Sequence, residues 1–145
     1  MYIKLTNGTP EQYSIRQLCR DNPNVSFPKE PTLELLASYG VRPYTRPNPI
    51  EHDGLAWRLI DDDFVEVNGA WMLPYKLEVK PQADAEANVR SYRGNLLAES
   101  DWIVTKSIEV GQSIPADWAA YRQALRDVTT QEGFPYSVAW PTKPE

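Results

Sequence analysis

Apolar and polar positions alternate along the first half of the chain and recur every three to four residues in the second. Alternation marks strands, because successive side chains leave opposite faces, whereas a 3.6-residue period marks a helical stripe. Tyr2 to Thr6 alternate and are closed by Asn7-Gly8, which predicts a short strand and a turn. Residues 14–20 read as a short helix with Ser14 as N-cap and Ile15 and Leu18 on one face. Asn22-Pro23-Asn24 is a turn, and Val25 to Phe27 is extended. A second short helix is expected over 32–39, with Thr32 at its start, Leu33, Leu36 and Ala37 on one face, and Gly40 past its end. Val41 to Tyr44 reads as extended, and 45–54, with Pro47, Pro49 and Gly54, as a loop.

The strongest strand pattern covers 55–80. Leu55, Trp57 and Leu59 alternate with Ala56 and Arg58, Asp61-Asp62-Asp63 makes a turn, and Phe64, Val65 and Val67 precede Asn68-Gly69. Asn-Gly between β-rich runs signals a hairpin, since a type I′ turn needs positive φ at both central residues. Tyr75, Leu77 and Val79 alternate with Lys76, Glu78 and Lys80, and Pro74 suggests a kink or a free edge. The expectation is a half-buried antiparallel β-meander over 55–80.

At Pro81 to Asp84 the period changes. Ala85, Val89, Tyr92 and Leu96 are spaced 4, 3 and 4 apart and predict a helix over about 84–100, weakened by Gly94. Residues 101–114, with Gly111, read as a connector. A second helix begins near Pro115, with Ser113 as a candidate cap and Asp117 at its positive end; Trp118, Tyr121, Leu125 and Val128 fall on one face. Gly133 is the expected stop, and 134–145, with Pro135, Pro141 and Pro144, should be extended or polyproline-like. The predicted fold class is therefore α+β. An N-terminal domain over 1–80 carries the meander, and a C-terminal region over 84–145 forms an antiparallel αα-hairpin with an extended Pro-rich tail.

Composition narrows the function classes. The 145 residues are 41% hydrophobic and 24% charged, ordinary for a globular chain. The net charge of −5 argues against sequence-independent nucleic-acid binding, which depends on Lys and Arg neutralising phosphates. No apolar run approaches the ~20 residues of a membrane span, and Met1 to Leu5 do not open a signal peptide, so the expectation is no membrane association. One cysteine, Cys19, allows no internal disulfide.

Three blocks in the second half resemble the phage tail assembly chaperone family. Arg93-Gly94-Asn95-Leu96-Leu97-Ala98-Glu99-Ser100-Asp101-Trp102 is similar to its first helix. Asp117-Trp118-Ala119-Ala120-Tyr121-Arg122-Gln123-Ala124-Leu125-Arg126-Asp127-Val128 is similar to its second. Gly133-Phe134-Pro135 followed by Val138-Ala139-Trp140-Pro141 resembles its closing segment. The combined order is more specific than any one block, and together they cover roughly residues 85–145. Ile103 to Val110 depart from the pattern, being longer and more β-prone than the family's short polar turn. The opening from Tyr2 to Pro28 also looks like phage tail-region proteins. The resemblance implies a non-catalytic helper that binds a phage tail or tail-fibre protein and assists its folding or attachment, acting in the host cytoplasm during assembly. The alternative is a virion structural component, a tail-fibre subunit or adaptor retained in the tail. No enzyme activity, cofactor or metal is implied.

The residues themselves point the same way. The single Cys19 and single His52 have no zinc-ligand spacing or nucleophile motif, and Cys19 reads as a buried small residue. Asp61-Asp62-Asp63 lacks the later glycine and glutamate of a calcium loop and reads as a solvated turn. No glycine-rich phosphate loop is present, and no spacing singles out a catalytic carboxylate pair. The informative feature is aromatic crowding. Trp118 and Tyr121 are expected to stack on Tyr92 in a small core, with the Trp140-Pro141 tail folded over the hairpin. Trp, Tyr and Arg also anchor protein interfaces. The candidate partner-binding residues are therefore Trp102, Trp118, Tyr121, Arg122, Arg126, Phe134 and Trp140, with pairing of the arginines to Asp101 or Asp127 as the competing structural role.

Overall fold

A computed structural model describes residues 1–145. The fold is mixed α+β, in two compact units. One comprises Met1–Ile50 with Leu59–Lys76, the other Glu51–Arg58 with Leu77–Glu145.

In the first unit β1 (Tyr2–Thr6) turns at Asn7-Gly8 into β2 (Thr9–Tyr13), a strand the sequence pattern did not show. Both turn residues have positive φ, 52° and 83°. Helices α1 (Ile15–Asp21) and α2 (Leu33–Ser38) follow, then β3 (Val41–Thr45). Ser14 caps α1 as expected: its hydroxyl accepts from Gln17 N–H at 3.1 Å, and the Gln17 side chain accepts from Ser14 N–H at 2.9 Å. Thr32 caps α2 through Leu35 N–H, and Gly40 leaves it at φ 72°. Of the expected α2 face, Leu36 is fully buried and Ala37 half-buried, whereas Leu33 is exposed. A six-residue helix presents less than two turns to its sheet, so its first position falls outside the contact.

The hairpin β5 (Val65–Val67) to β6 (Ala70–Met72) turns at Asn68-Gly69, with φ 51° and 78°. The expected meander, however, does not form. Strands β5 and β6 join the N-terminal strands in a five-stranded sheet ordered β2-β1-β3-β6-β5, in which β3 and β6 run parallel. Strands β4 (Trp57–Asp61) and β7 (Tyr75–Val79) pair instead with each other. Alternation identifies strands but not partners, and the segment between β3 and β6 is long enough for the crossover a parallel pair requires.

Alternation decides how this sheet is covered. Tyr2, Tyr13 and Val41 face α1 and α2 and pack with Leu18 and Leu36; Ile3, Tyr44 and Trp71 face the other way and pack with Leu73 and Phe64. Arg46 pairs with Asp61 through two hydrogen bonds of 2.6 and 2.9 Å, and Lys76 binds Asp62 at 2.9 Å.

The second unit is helical. Helix α3 (Gln82–Glu99) is followed by α4 (Asp101–Glu109), α5 (Ala116–Asp127) and a 3₁₀ turn at Val128–Thr130. The expected two-helix hairpin is thus three helices, because the β-prone stretch after Trp102 is helical. Ile103 and Ser107, four residues apart, are both buried, and that one-sided packing outweighs the modest helix cost of β-branched residues. Gly111, at φ 67°, follows the helix. No side chain caps α5: Pro115, not Ser113, holds the N-cap position, and Asp117 accepts from Trp118 N–H at 2.8 Å. Trp118, Tyr121, Leu125 and Val128 are all buried, as their spacing predicted.

Gly133 lies beyond the helix end. A Cβ there would sit 2.2 Å from the Ser137 carbonyl oxygen, so the turn through 132–136 closes only around glycine. Phe134–Pro135 is cis. Pro135 is buried, Trp57 Nε1–H donates to Tyr136 O at 3.0 Å, and Tyr136 Oη–H donates to Lys80 O at 3.1 Å. Residues 138–145 carry no regular secondary structure.

Candidate partner-binding surface

The helical unit is fastened at the α3–α4 junction. Ser100 ends one helix, begins the next and is fully buried; its hydroxyl donates to Leu97 O at 2.8 Å. Arg122 reaches across from α5. Its guanidinium donates to Leu97 O at 2.9 Å, to Ser100 Oγ, and to Asp101 Oδ1 at 2.8 Å. A planar fork with several donors can satisfy three acceptors at once, which fixes the angle between successive helices. Ile103, Trp118, Tyr121 and Leu125 fill the space between the helices, with Leu96, Leu97, Val104, Ile114 and Trp140 at its margin.

This geometry divides the seven candidate residues. Trp118, Tyr121 and Arg122 are buried and belong to the core, so their surfaces are spent inside the unit. Burial and the neighbouring Glu99 carboxylate raise the Tyr121 phenol above its ordinary pKa. Phe134 and Trp140 are half-buried. Trp140 meets Tyr92 edge-on at 4.9 Å, and Arg90 lies over Phe134 at 5.3 Å. The expected stack of Trp118 and Tyr121 on Tyr92 does not form. Trp118 instead packs edge-on against Trp102 at 5.6 Å and Tyr121 at 6.0 Å, and Tyr92 takes Trp140. Trp102 and Arg126 face solvent. Trp102 is 49% exposed, with the Lys106 ammonium 5.9 Å from its ring.

Two further apolar side chains of this region were not singled out from the sequence. Ile108 and Val110, on and just after α4, are 73% and 57% exposed. Read as a β-prone connector, they gave no stripe; the signal lay in the i, i+4 spacing of Ile103 and Ser107, which sets the buried side of the helix.

The other candidates have structural roles. Asp61 and Asp62 are tied to Arg46 and Lys76, whose hydrogen bonds hold both carboxyls below their ordinary pKa. No three His, Cys, Asp or Glu side chains converge where a metal ion would sit. Cys19 is exposed, not buried: Leu18 takes the inward position on α1, and the next residue points about 100° away. No helix is long and apolar enough to cross a membrane.

The helical unit thus packs its helices around Ile103, Trp118, Tyr121 and Leu125 and leaves Trp102 half exposed. Residues 86–145, which hold most of that unit, match the family of phage tail assembly chaperone proteins. No curated protein and no solved structure matches the chain.

Proposed function

We propose that this protein is a phage tail assembly chaperone that binds a tail or tail-fibre protein in the host cytoplasm and assists its folding or attachment without catalysis. The observation that carries the reading is the family match over the unit that bears the exposed Trp102. A tryptophan half in water on a helix, with apolar Ile108 on the same helix and Val110 just past its end, costs solvation in the free chain and regains it under a partner. Arg126, Phe134 and Trp140 supply further anchors of the kind interfaces favour.

The test is co-expression with the tail and tail-fibre proteins of the same phage, followed by co-purification. The wild-type chain should yield a heteromer. Trp102→Ala should weaken it by about 2 kcal/mol or more, roughly thirtyfold in Kd, while the free protein melts within a few degrees of wild type. Failure of every tail protein to co-purify would remove the reading. Mass spectrometry of purified virions separates a dissociating chaperone, which should be absent, from a retained tail component.

A further inference from the structure

The five-stranded sheet ends in two edges, β2 and β5, and the two are not alike. Along a strand, the main-chain groups of successive residues turn alternately to one neighbour and the other. At the β2 edge, Leu5 N–H donates to Gly40 O at 3.2 Å, away from β2, so Pro10 opposite it turns its nitrogen outward. That position has no donor to offer, and a proline there closes the edge to a further strand. At the β5 edge, Leu73 N–H donates to Thr45 O at 3.0 Å, so Trp71, two residues earlier, also turns its groups to β3. Glu66, opposite Trp71, therefore points its N–H and C=O away from the sheet. Strand β5 holds no proline and no lysine, and all three of its residues are exposed. Val65 and Val67 lie on the face that α1 and α2 cover at Tyr2, Tyr13 and Val41, yet at this end they stay 40% and 48% exposed.

We propose that β5 is a docking edge that takes up one extended strand of the client tail protein, antiparallel, with a basic residue opposite Glu66 and apolar residues beside Val65 and Val67. The assignment rests on the chaperone reading for the identity of the client, and gives a role to the unit outside residues 86–145. An unpaired N–H and C=O on a sheet edge are matched by another strand, which returns both bonds. Antiparallel pairing concentrates both on the one residue opposite Glu66. A second copy of this chain paired in the same way would set Glu66 against Glu66. Like charges directly opposite oppose pairing, whereas a lysine or arginine there favours it. Apolar residues on either side of that basic one would take the two valines out of water. Three residues with one outward pair of main-chain groups make a weak contact, which suits a client that has to be released.

The experiment uses the full chain and the end-blocked peptide Thr-Val-Lys-Val-Thr. Beside it stand the same peptide with Glu for Lys, and one with Nα-methyl-lysine, whose main chain cannot donate at that residue. Binding is followed by amide shifts and hydrogen exchange of Val65, Glu66 and Val67. The lysine peptide should slow exchange at Glu66 and bind about fivefold or more tightly than the glutamate peptide. The methylated peptide should give no protection. Glu66→Lys should reverse the order of the lysine and glutamate peptides. Glu66→Pro removes the outward N–H without removing a bond to β6, so it should melt within a few degrees of wild type and no longer bind the lysine peptide. No binding, equal affinity for the lysine and glutamate peptides, or binding untouched by the Nα-methyl group overturns the proposal. So does a wild-type dimer that Glu66→Pro dissociates, since the occupant would then be a second copy. If Glu66→Lys and Glu66→Pro hold a tail protein as firmly as wild type does, the edge proposal fails and the chaperone reading stands. If wild type binds no tail protein, that reading fails, and the peptides decide the edge by themselves.

Discussion

At the scale of single residues, burial separates side chains that hold the fold from those left to act. Leu125 has no exposed surface and packs among Ile103, Trp118 and Tyr121. Leu125→Ala removes that filling and leaves a cavity, so we expect a loss of about 2–5 kcal/mol, read as a clear fall in melting temperature. Trp102, a close sequence neighbour of the same core, is half in water, and its truncation should be felt in binding instead. Tyr13 gives a pH signature. Partial burial and its hydrogen bond to Asp21 push the phenol up to about 12 from 10.0. The folded chain therefore holds this proton more tightly than the unfolded one. The stabilisation is present in full below pH 10 and is lost as pH rises toward 12. Tyr121 is raised as well, so ultraviolet titration should show more than one late phenol, one of which Tyr13→Phe removes.

At the scale of elements, local chemistry sets boundaries and packing sets identity. The Ser14–Gln17 box starts α1, and the Asn-Gly turns close two hairpins, because these signals act within a few residues. Helix α3 offers a direct test. Gly94 lies inside it on an exposed position, and a Cβ there would meet nothing within 4 Å. Gly94→Ala should stabilise by about 0.5–1 kcal/mol, visible as a small rise in melting temperature and helical circular dichroism. Gly133 behaves oppositely, since its Cβ would collide with a backbone oxygen. Helix α4 is where local signals failed: Ile103, Val104, Thr105 and Ile108 lean toward strand, and only burial of Ile103 and Ser107 makes the stretch helical.

At the scale of the whole molecule, the segment 134–145 divides in two. Pro135 and Tyr136 are built into the helical unit, Tyr136 through hydrogen bonds with Trp57 and Lys80, whereas Pro141–Glu145 have no regular structure and lie on its surface, with Lys143 3.9 Å from Glu99. Ending the chain after Trp140 should leave the fold nearly intact, and ending it after Gly133 should loosen the helical unit. Hydrogen exchange of the α3 and α5 amides would show little change in the first case and strong deprotection in the second.

The sequence by itself determined the α+β class, the two Asn-Gly turns, the stripe Trp118–Tyr121–Leu125–Val128 and the resemblance later met by the family match over 86–145. Each depends on dihedral preferences or periodicities that act over a few residues. Only the tertiary structure decided that β5 and β6 pair into the N-terminal sheet, that α4 is a helix, and that Arg122 locks the α3–α4 junction while Trp102 stays in water. Those outcomes turn on which distant surfaces exclude water together, and hydrophobic burial is non-directional, so a one-dimensional pattern marks what must be buried without saying against what.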